Sequence, residues 1–198
     1  GVEHNVYFTT TGRKFNPLTM LAARGWSVEE LAAVAQPGAP YDLLRPDSIY
    51  ALPELLREVS DIAIAGPNRV YCVQDELGAV FLYDLVAEAI VNVHRFTDLG
   101  DFEGIAVDGD RITVLRSDGK LYTLDRLTGA LVSEQYYTLP SLNYEGLYAE
   151  SNGDLCIVSK EAPVVGESNT RLIHRIHNSK EQLHRTLDAT EVADAFAR

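Results

Sequence analysis

From Tyr50 onward, apolar and polar positions alternate in short runs separated by Gly, Asp and Asn. A period of two predicts strands that lie on a packed sheet, and the interruptions predict tight turns. The runs recur. Asp61–Ile64, Gly104–Val107 and Gly146–Ala149 are 43 and 42 residues apart, and Val70–Val73, Ile112–Leu115 and Leu155–Val158 are 42 and 43 apart. A third set follows at Val80–Tyr83, Leu121–Leu124 and Leu172–Arg175, and a fourth at Ile90–Phe96, Leu131–Tyr137 and Gln182–Leu187. Gly66-Pro67-Asn68, Asp108-Gly109-Asp110 and Asn152-Gly153-Asp154 supply hairpin turns between the first and second runs. Asp118-Gly119 and Thr128-Gly129 do so later in the middle unit, while the third unit carries a longer loop over Pro163–Asn169.

Four strands in each unit of about 40–45 residues is the arithmetic of a β-propeller blade. The fold class is therefore all-β, a β-propeller, with four-stranded blades over residues 58–97, 101–138 and 143–187 of a partial propeller spanning 41–198. A closed ring needs roughly 4–8 blades, so either further chain completes the ring, or copies assemble, or the arc is open; completion by further chain is the favoured expectation.

Residues 1–40 break the pattern. Val6-Tyr7-Phe8-Thr9-Thr10 predicts a short strand. Leu18, Leu21 and Ala22 share a helical face, and Ser27 with Glu30 has capping-box spacing ahead of Leu31 and Val34. Pro37-Gly38-Ala39-Pro40 ends any regular element. This segment is read as a partly helical appendage. Residues 188–198 read as the start of another helix.

Composition narrows the function. Of 198 residues, 29 are acidic and 17 basic, a net charge of −12. That sign opposes non-specific nucleic-acid binding and leaves cations or other proteins as partners. No apolar stretch is long enough to predict a transmembrane helix. The chain opens on Gly1, which fits a trimmed or mature form whose membrane-anchoring signal has been removed. Two cysteines, Cys72 and Cys156, are not expected to make a disulfide framework or a thiolate zinc site. Their spacing assigns them one repeat position two blades apart, too far for a bridge, so they read as small buried side chains.

Mapped on the repeat, Glu103 and Glu145 fall just before the innermost strand, where Ser60 stands in the first unit with Glu58 two residues earlier. Asp75-Glu76, Arg116-Ser117-Asp118 and Ser159-Lys160-Glu161 follow the second strand of each unit. Strands one and two are antiparallel, so both places lie at one rim, and equivalent positions face one another around the axis. Glu58, Asp75, Glu76, Asp101, Glu103, Glu145 and Glu161 are thus expected to crowd one channel mouth. Crowded carboxylates raise one another's pKa unless a cation neutralises them. A hard cation with 6–8 oxygen ligands, Ca²⁺, suits the donor set. Glu58, Asp75, Glu76, Glu103, Glu145 and Glu161 are the candidate metal ligands, and Asp101, Arg116 and Lys160 the candidate contacts to an anionic small molecule or protein segment. A second reading stays open: Glu103 and Glu145 cap strand ends, and Arg116 and Lys160 pair with Asp118 and Glu161. His174, His177 and His184, with no Cys partner and no regular zinc spacing, read as surface or cross-strand residues, with His174 and His184 on neighbouring strands.

Several motifs, in order, resemble the SdiA-regulated (YjiK-like) propeller family. They are Tyr41-Asp42-Leu43 with Pro46-Asp47, Leu52-Pro53-Glu54, Arg57 to Ile62, Gln74-Asp75-Glu76-Leu77-Gly78, Gly100 to Ala106, Val114 to Tyr122, Asn143 to Leu147 and Ser159-Lys160-Glu161. The resemblance covers about residues 41–187. It departs at Asp61, where the family pattern has Gly, and the last family blades have no counterpart. It implies a six-bladed ring related to phytase-like and esterase-like propellers, and a periplasmic or cell-envelope protein, often a lipoprotein. The acid cluster, taken with the exported location the resemblance implies, gives the expected function: an exported binding module whose acidic channel mouth binds Ca²⁺ and an anionic ligand or protein segment. The alternative is a metal-dependent phosphoesterase or esterase of phytase-like type.

Overall fold

A computed structural model describes residues 6–9 and 47–191. The chain divides into two compact units between Arg57 and Glu58. In the smaller unit β1 (Val6–Thr9) pairs in parallel with β2 (Ser48–Ala51), and a single 3-10 turn, Glu54–Leu56, follows Pro53. The short strand expected near the start of the chain is therefore present over Val6–Thr9. The helices expected over residues 17–36 lie outside the described residues.

The larger unit consists of three antiparallel meanders. The first is β3 (Val59–Gly66), β4 (Arg69–Gln74), β5 (Leu77–Asp84) and β6 (Ala89–Leu99). The second is β7 (Phe102–Asp108), β8 (Arg111–Arg116), β9 (Lys120–Asp125) and β10 (Leu131–Tyr136). The third is β11 (Tyr144–Ala149), β12 (Leu155–Ser159), β13 (Thr170–His177) and β14 (Lys180–Asp188). Each sheet is ordered as its sequence, one to four. These are propeller blades, so the all-β propeller class holds for this unit. Residues 189–191 begin a helical turn, as expected after the last strand.

Turn chemistry sets the hairpins. Gly109, Gly119, Gly129 and Gly153 all have positive φ in connections between strands, and Asn68 does the same in the first blade. The backbone of a side-chain-bearing residue enters that region only at a cost, which is why Gly and Asn stand there.

Blades stack through their faces, with inner strands β3, β7 and β11 as neighbours. Between the first two blades, Tyr71, Val73, Val80 and Phe96 pack on Phe102, Ile105, Ile112, Val114, Tyr122 and Leu124. Phe96, Phe102 and Tyr122 form an aromatic knot with ring centroids 5.0–5.9 Å apart. Between the second and third, Ala106, Leu115, Leu121 and Tyr137 pack on Tyr144, Leu147, Ile157 and Ile176. Successive residues of each strand thus serve opposite faces, as the pleat requires.

Register corrects the cysteine assignment. Ile62 stands opposite Cys72, whereas Leu147, the equivalent of Ile62, stands opposite Ile157. Cys156 is one residue off the repeat position of Cys72 and projects from the other face of its blade. Both thiols are buried and free, as small apolar side chains would be. The two histidines also part. His174 is buried with its Nδ1 2.5 Å from Glu181, while His184 sits by Arg175 and Glu150.

Candidate functional site

The mouth is built by one irregularity repeated three times. In each blade the first two strands slip register at the same place: between Val59 and Asp61, between Phe102 and Gly104, and between Tyr144 and Gly146. The residues left without a partner are Ser60, Glu103 and Glu145. A β-bulge bends its strand and re-aims a side chain, and here it turns both glutamates to the rim.

Backbone hydrogen bonds lace that rim. Within blades, the N–H groups of Asp75, Ser117 and Lys160 donate to the carbonyls of Glu58, Asp101 and Asn143 (3.0, 2.8 and 3.1 Å). Between blades, Phe102 N–H donates to Asp75 (2.8 Å) and Tyr144 N–H to Ser117 (2.9 Å). Three equivalent sets result: Glu58, Ser60, Asp75; then Asp101, Glu103, Ser117; then Asn143, Glu145, Lys160. Carboxylates distant in sequence are pinned to one rim by main-chain geometry.

Asp75, Asp101 and Glu103 come closest, with one carboxylate oxygen from each lying within 4.8 Å of the others. Their electrostatics differ. The Glu103 carboxyl is pushed up to about 7, chiefly by burial, then by its hydrogen bond to Asp101 and the charges of Glu145, Asp101 and Asp75. Burial also raises Asp75, helped by its hydrogen bond to Asp101 and by Asp101, Glu58 and Glu76. Asp101 moves the other way, because the Ser117 hydroxyl donates to it and protonated Glu103 and Asp75 can do so too. Within one trio, burial and the shared hydrogen bonds thus push Glu103 and Asp75 up while Asp101 moves down.

Of the other expected residues, Glu145, Glu58 and Glu76 act on the trio by charge. Lys160 bonds Glu145 and is also felt by Glu103 and Glu161. Glu58 and Glu76 are exposed and act on Asp75 by charge. Arg116 is placed differently. Its guanidinium grips Asp118 through two bonds (2.6 and 2.9 Å) and donates to Tyr122 Oη (3.1 Å). The pairing expected of Arg116 with Asp118 is present, whereas Lys160 pairs with Glu145.

Two residues at this rim escaped the sequence reading. Ser117 orients Asp101, and its only sequence signal was its repeat position between Asp75 and Lys160. Asp61, noticed only as a departure from a Gly, staples two blades. Its carboxylate accepts the N–H groups of Ile62 (2.7 Å) and Ile105 on the next blade (2.8 Å). Burial nonetheless raises its pKa. The equivalent Gly104 solves the same contact by closeness: a Cβ there would lie 2.7 Å from Leu147 Cβ.

No family model matches the chain. Among solved structures it is similar to Kuenenia stuttgartiensis hydrazine synthase, at 12% identity and TM-score 0.49, over 65% of this chain and 35% of that one. It is also similar to the WD40 β-propeller domain of Doa1, at 16% identity and TM-score 0.46, over 65% and 40%. The β-propeller domain of Myceliophteria thermophila Cps50 (Swd1) is similar at 11% identity and TM-score 0.45, over 64% and 38%. The chain thus spans only 35–40% of the length of these proteins. The propeller architecture rests on the order, register and packing of the three sheets. Among the described residues, no helix is long and apolar enough to cross a membrane.

Proposed function

We propose that this chain is part of an exported propeller-type binding module whose acidic mouth holds Ca²⁺ and, through it, an anionic group on a small molecule or protein segment. The observation that carries the reading is the convergence of Asp75, Asp101 and Glu103 from two blades, with oxygens within 4.8 Å of one another. Calcium–oxygen bonds are about 2.3–2.6 Å long, so one ion reaches oxygens up to roughly 5 Å apart. The raised proton affinity of Glu103 fits a site that favours a positive charge. Glu145, with Glu58 and Glu76 further out, would add negative field, and bound waters would fill the remaining coordination.

Lys160 has two roles in this reading. It is the resident counter-ion of Glu145, and it is the basic group best placed to meet an anion drawn by the metal. Arg116 contributes only if it leaves Asp118. The ordered motifs support membership of the SdiA-regulated propellers, and with it a six-bladed ring completed by further chain and a cell-envelope location, with anchoring through a lipidated N-terminus.

Thermal melting at pH 7.5 tests the site. Calcium in excess over chelator should raise Tm by several degrees, and Glu103→Gln should abolish most of that rise. Identical melting with calcium and with chelator would remove the metal from the proposal.

A further inference from the structure

A second cluster lies in the third blade, away from the acidic rim, and differs in chemistry. One ligating atom each from Glu150, Cys156 and His184 lies within 4.8 Å of the other two. Glu150 follows β11, Cys156 is on β12 and His184 is on β14. Cross-strand register explains the meeting. Tyr148 stands opposite Cys156, and Cys156 opposite Arg175. On β14, Leu183 pairs with His174 and Arg185 with Ile173, leaving His184 at a bulge, which turns its ring to this face.

The residue types are foreign to that face. In the first blade the equivalent positions to Tyr148, Cys156 and Arg175 are Ala63, Tyr71 and Leu82, all within an apolar core. In the second they are Ala106, Thr113 and Thr123. The third blade instead groups a carboxylate, a thiol and an imidazole, which apolar packing does not require.

The three acceptors already share one cation. Arg175 Nη2 donates to Glu150 (2.9 Å) and to His184 Nε2 (3.1 Å), and its guanidinium hydrogen-bonds Cys156. A guanidinium has donors only, so His184 Nε2 must present its lone pair. That is the form in which imidazole ligates a metal. His184 Nε2 and Glu150 Oε1 are 3.6 Å apart. Two zinc bonds of about 2.0–2.1 Å at a tetrahedral angle would set them roughly 3.4 Å apart.

We propose that Glu150, Cys156 and His184 form a site for a thiophilic divalent metal ion such as Zn²⁺, in which Arg175 stands as the cation of the metal-free state. The set of one sulphur, one nitrogen and one oxygen suits zinc and excludes calcium, which takes oxygen alone. Three protein ligands leave a fourth position for water or an anion. On binding, Cys156 loses its proton to solvent and Arg175 turns toward Asp154, whose Oδ2 is 3.9 Å from its Nε. Cys72 takes no part: burial, with the charge of Asp61, pushes its thiol up to about 12.

Cobalt titration of the full, reduced chain tests this, because a thiolate–Co²⁺ bond gives a charge-transfer band that an all-oxygen site cannot give. One equivalent should produce the band, and excess Zn²⁺ should remove it. Cys156→Ser should abolish it, Cys72→Ser should leave it, and His184→Gln should weaken binding about tenfold or more. Arg175→Met, which vacates the centre, should tighten binding. No band in the unmodified chain, or a band that survives Cys156→Ser, overturns the proposal. Should Cys156→Ser fail to fold, His184→Gln and Glu150→Gln decide, since both leave the thiol in place and unchanged binding in both also overturns it.

Discussion

Glu103 carries the largest consequence of any single side chain at the mouth. Its folded pKa of about 7 exceeds its ordinary 4.5, so the folded chain holds this proton more tightly than the unfolded chain. The stability it contributes is complete below about pH 4.5 and is lost as pH rises to 7. In chelator, Tm should therefore fall across that window, and Glu103→Gln should flatten the fall; a profile unchanged by the substitution would place the titration elsewhere. Asp61 acts by a different route. Asp61→Ala leaves the N–H groups of Ile62 and Ile105 without their acceptor and should cost about 1–3 kcal/mol, read by urea unfolding. Asp61→Asn, which keeps one acceptor oxygen, should lose less. Side-chain identity was legible in the sequence for the acids, because charge at a repeat position needs no coordinates. The hydrogen bonds of Asp61 and Ser117 were not, because each depends on a neighbouring blade. Nor was the commitment of Arg116 to Tyr122.

At the level of elements, repeat spacing made the twelve blade strands readable, since a meander returns every strand to its sequence neighbour. Spacing could not reveal the bulges. One unpaired residue leaves the repeat length unchanged, yet it decides that Glu103 and Glu145 turn to the rim. Plain sequence separation made Cys72 and Cys156 look equivalent, whereas register separates them by one residue and one face. The inner-strand contact yields a paired prediction. Gly104→Ala puts a methyl 2.7 Å from Leu147 Cβ and should destabilise by about 1–3 kcal/mol. Gly109→Ala, in open space at φ +51°, meets only backbone strain and should cost about 1 kcal/mol. Equal losses in the two variants would mean that blade-to-blade closeness at Gly104 contributes nothing.

For the molecule as a whole, the propeller arrangement brings together groups that the sequence holds tens of residues apart. Asp75 follows the second strand of one blade, Asp101 precedes the first strand of the next, and Glu103 is that strand's second residue. A bound ion would therefore couple neighbouring blades, and calcium should slow amide exchange at Phe102 and Tyr144, whose N–H groups cross between blades. Lys160 competes for the same field. Lys160→Met should tighten calcium binding severalfold while weakening capture of an anion. Assays on phosphate and carboxyl esters separate a binding module from a hydrolase of phytase-like type: metal uptake without turnover is the expected result. The central claim is that the carboxylates of Asp75, Asp101 and Glu103 share one calcium ion. Calorimetric titration of Ca²⁺ into the full chain at pH 7.5 measures this most directly. One site, weakened about tenfold or more by Glu103→Gln and again by Asp75→Asn, is the predicted outcome; no heat of binding, or binding indifferent to both substitutions, would contradict it.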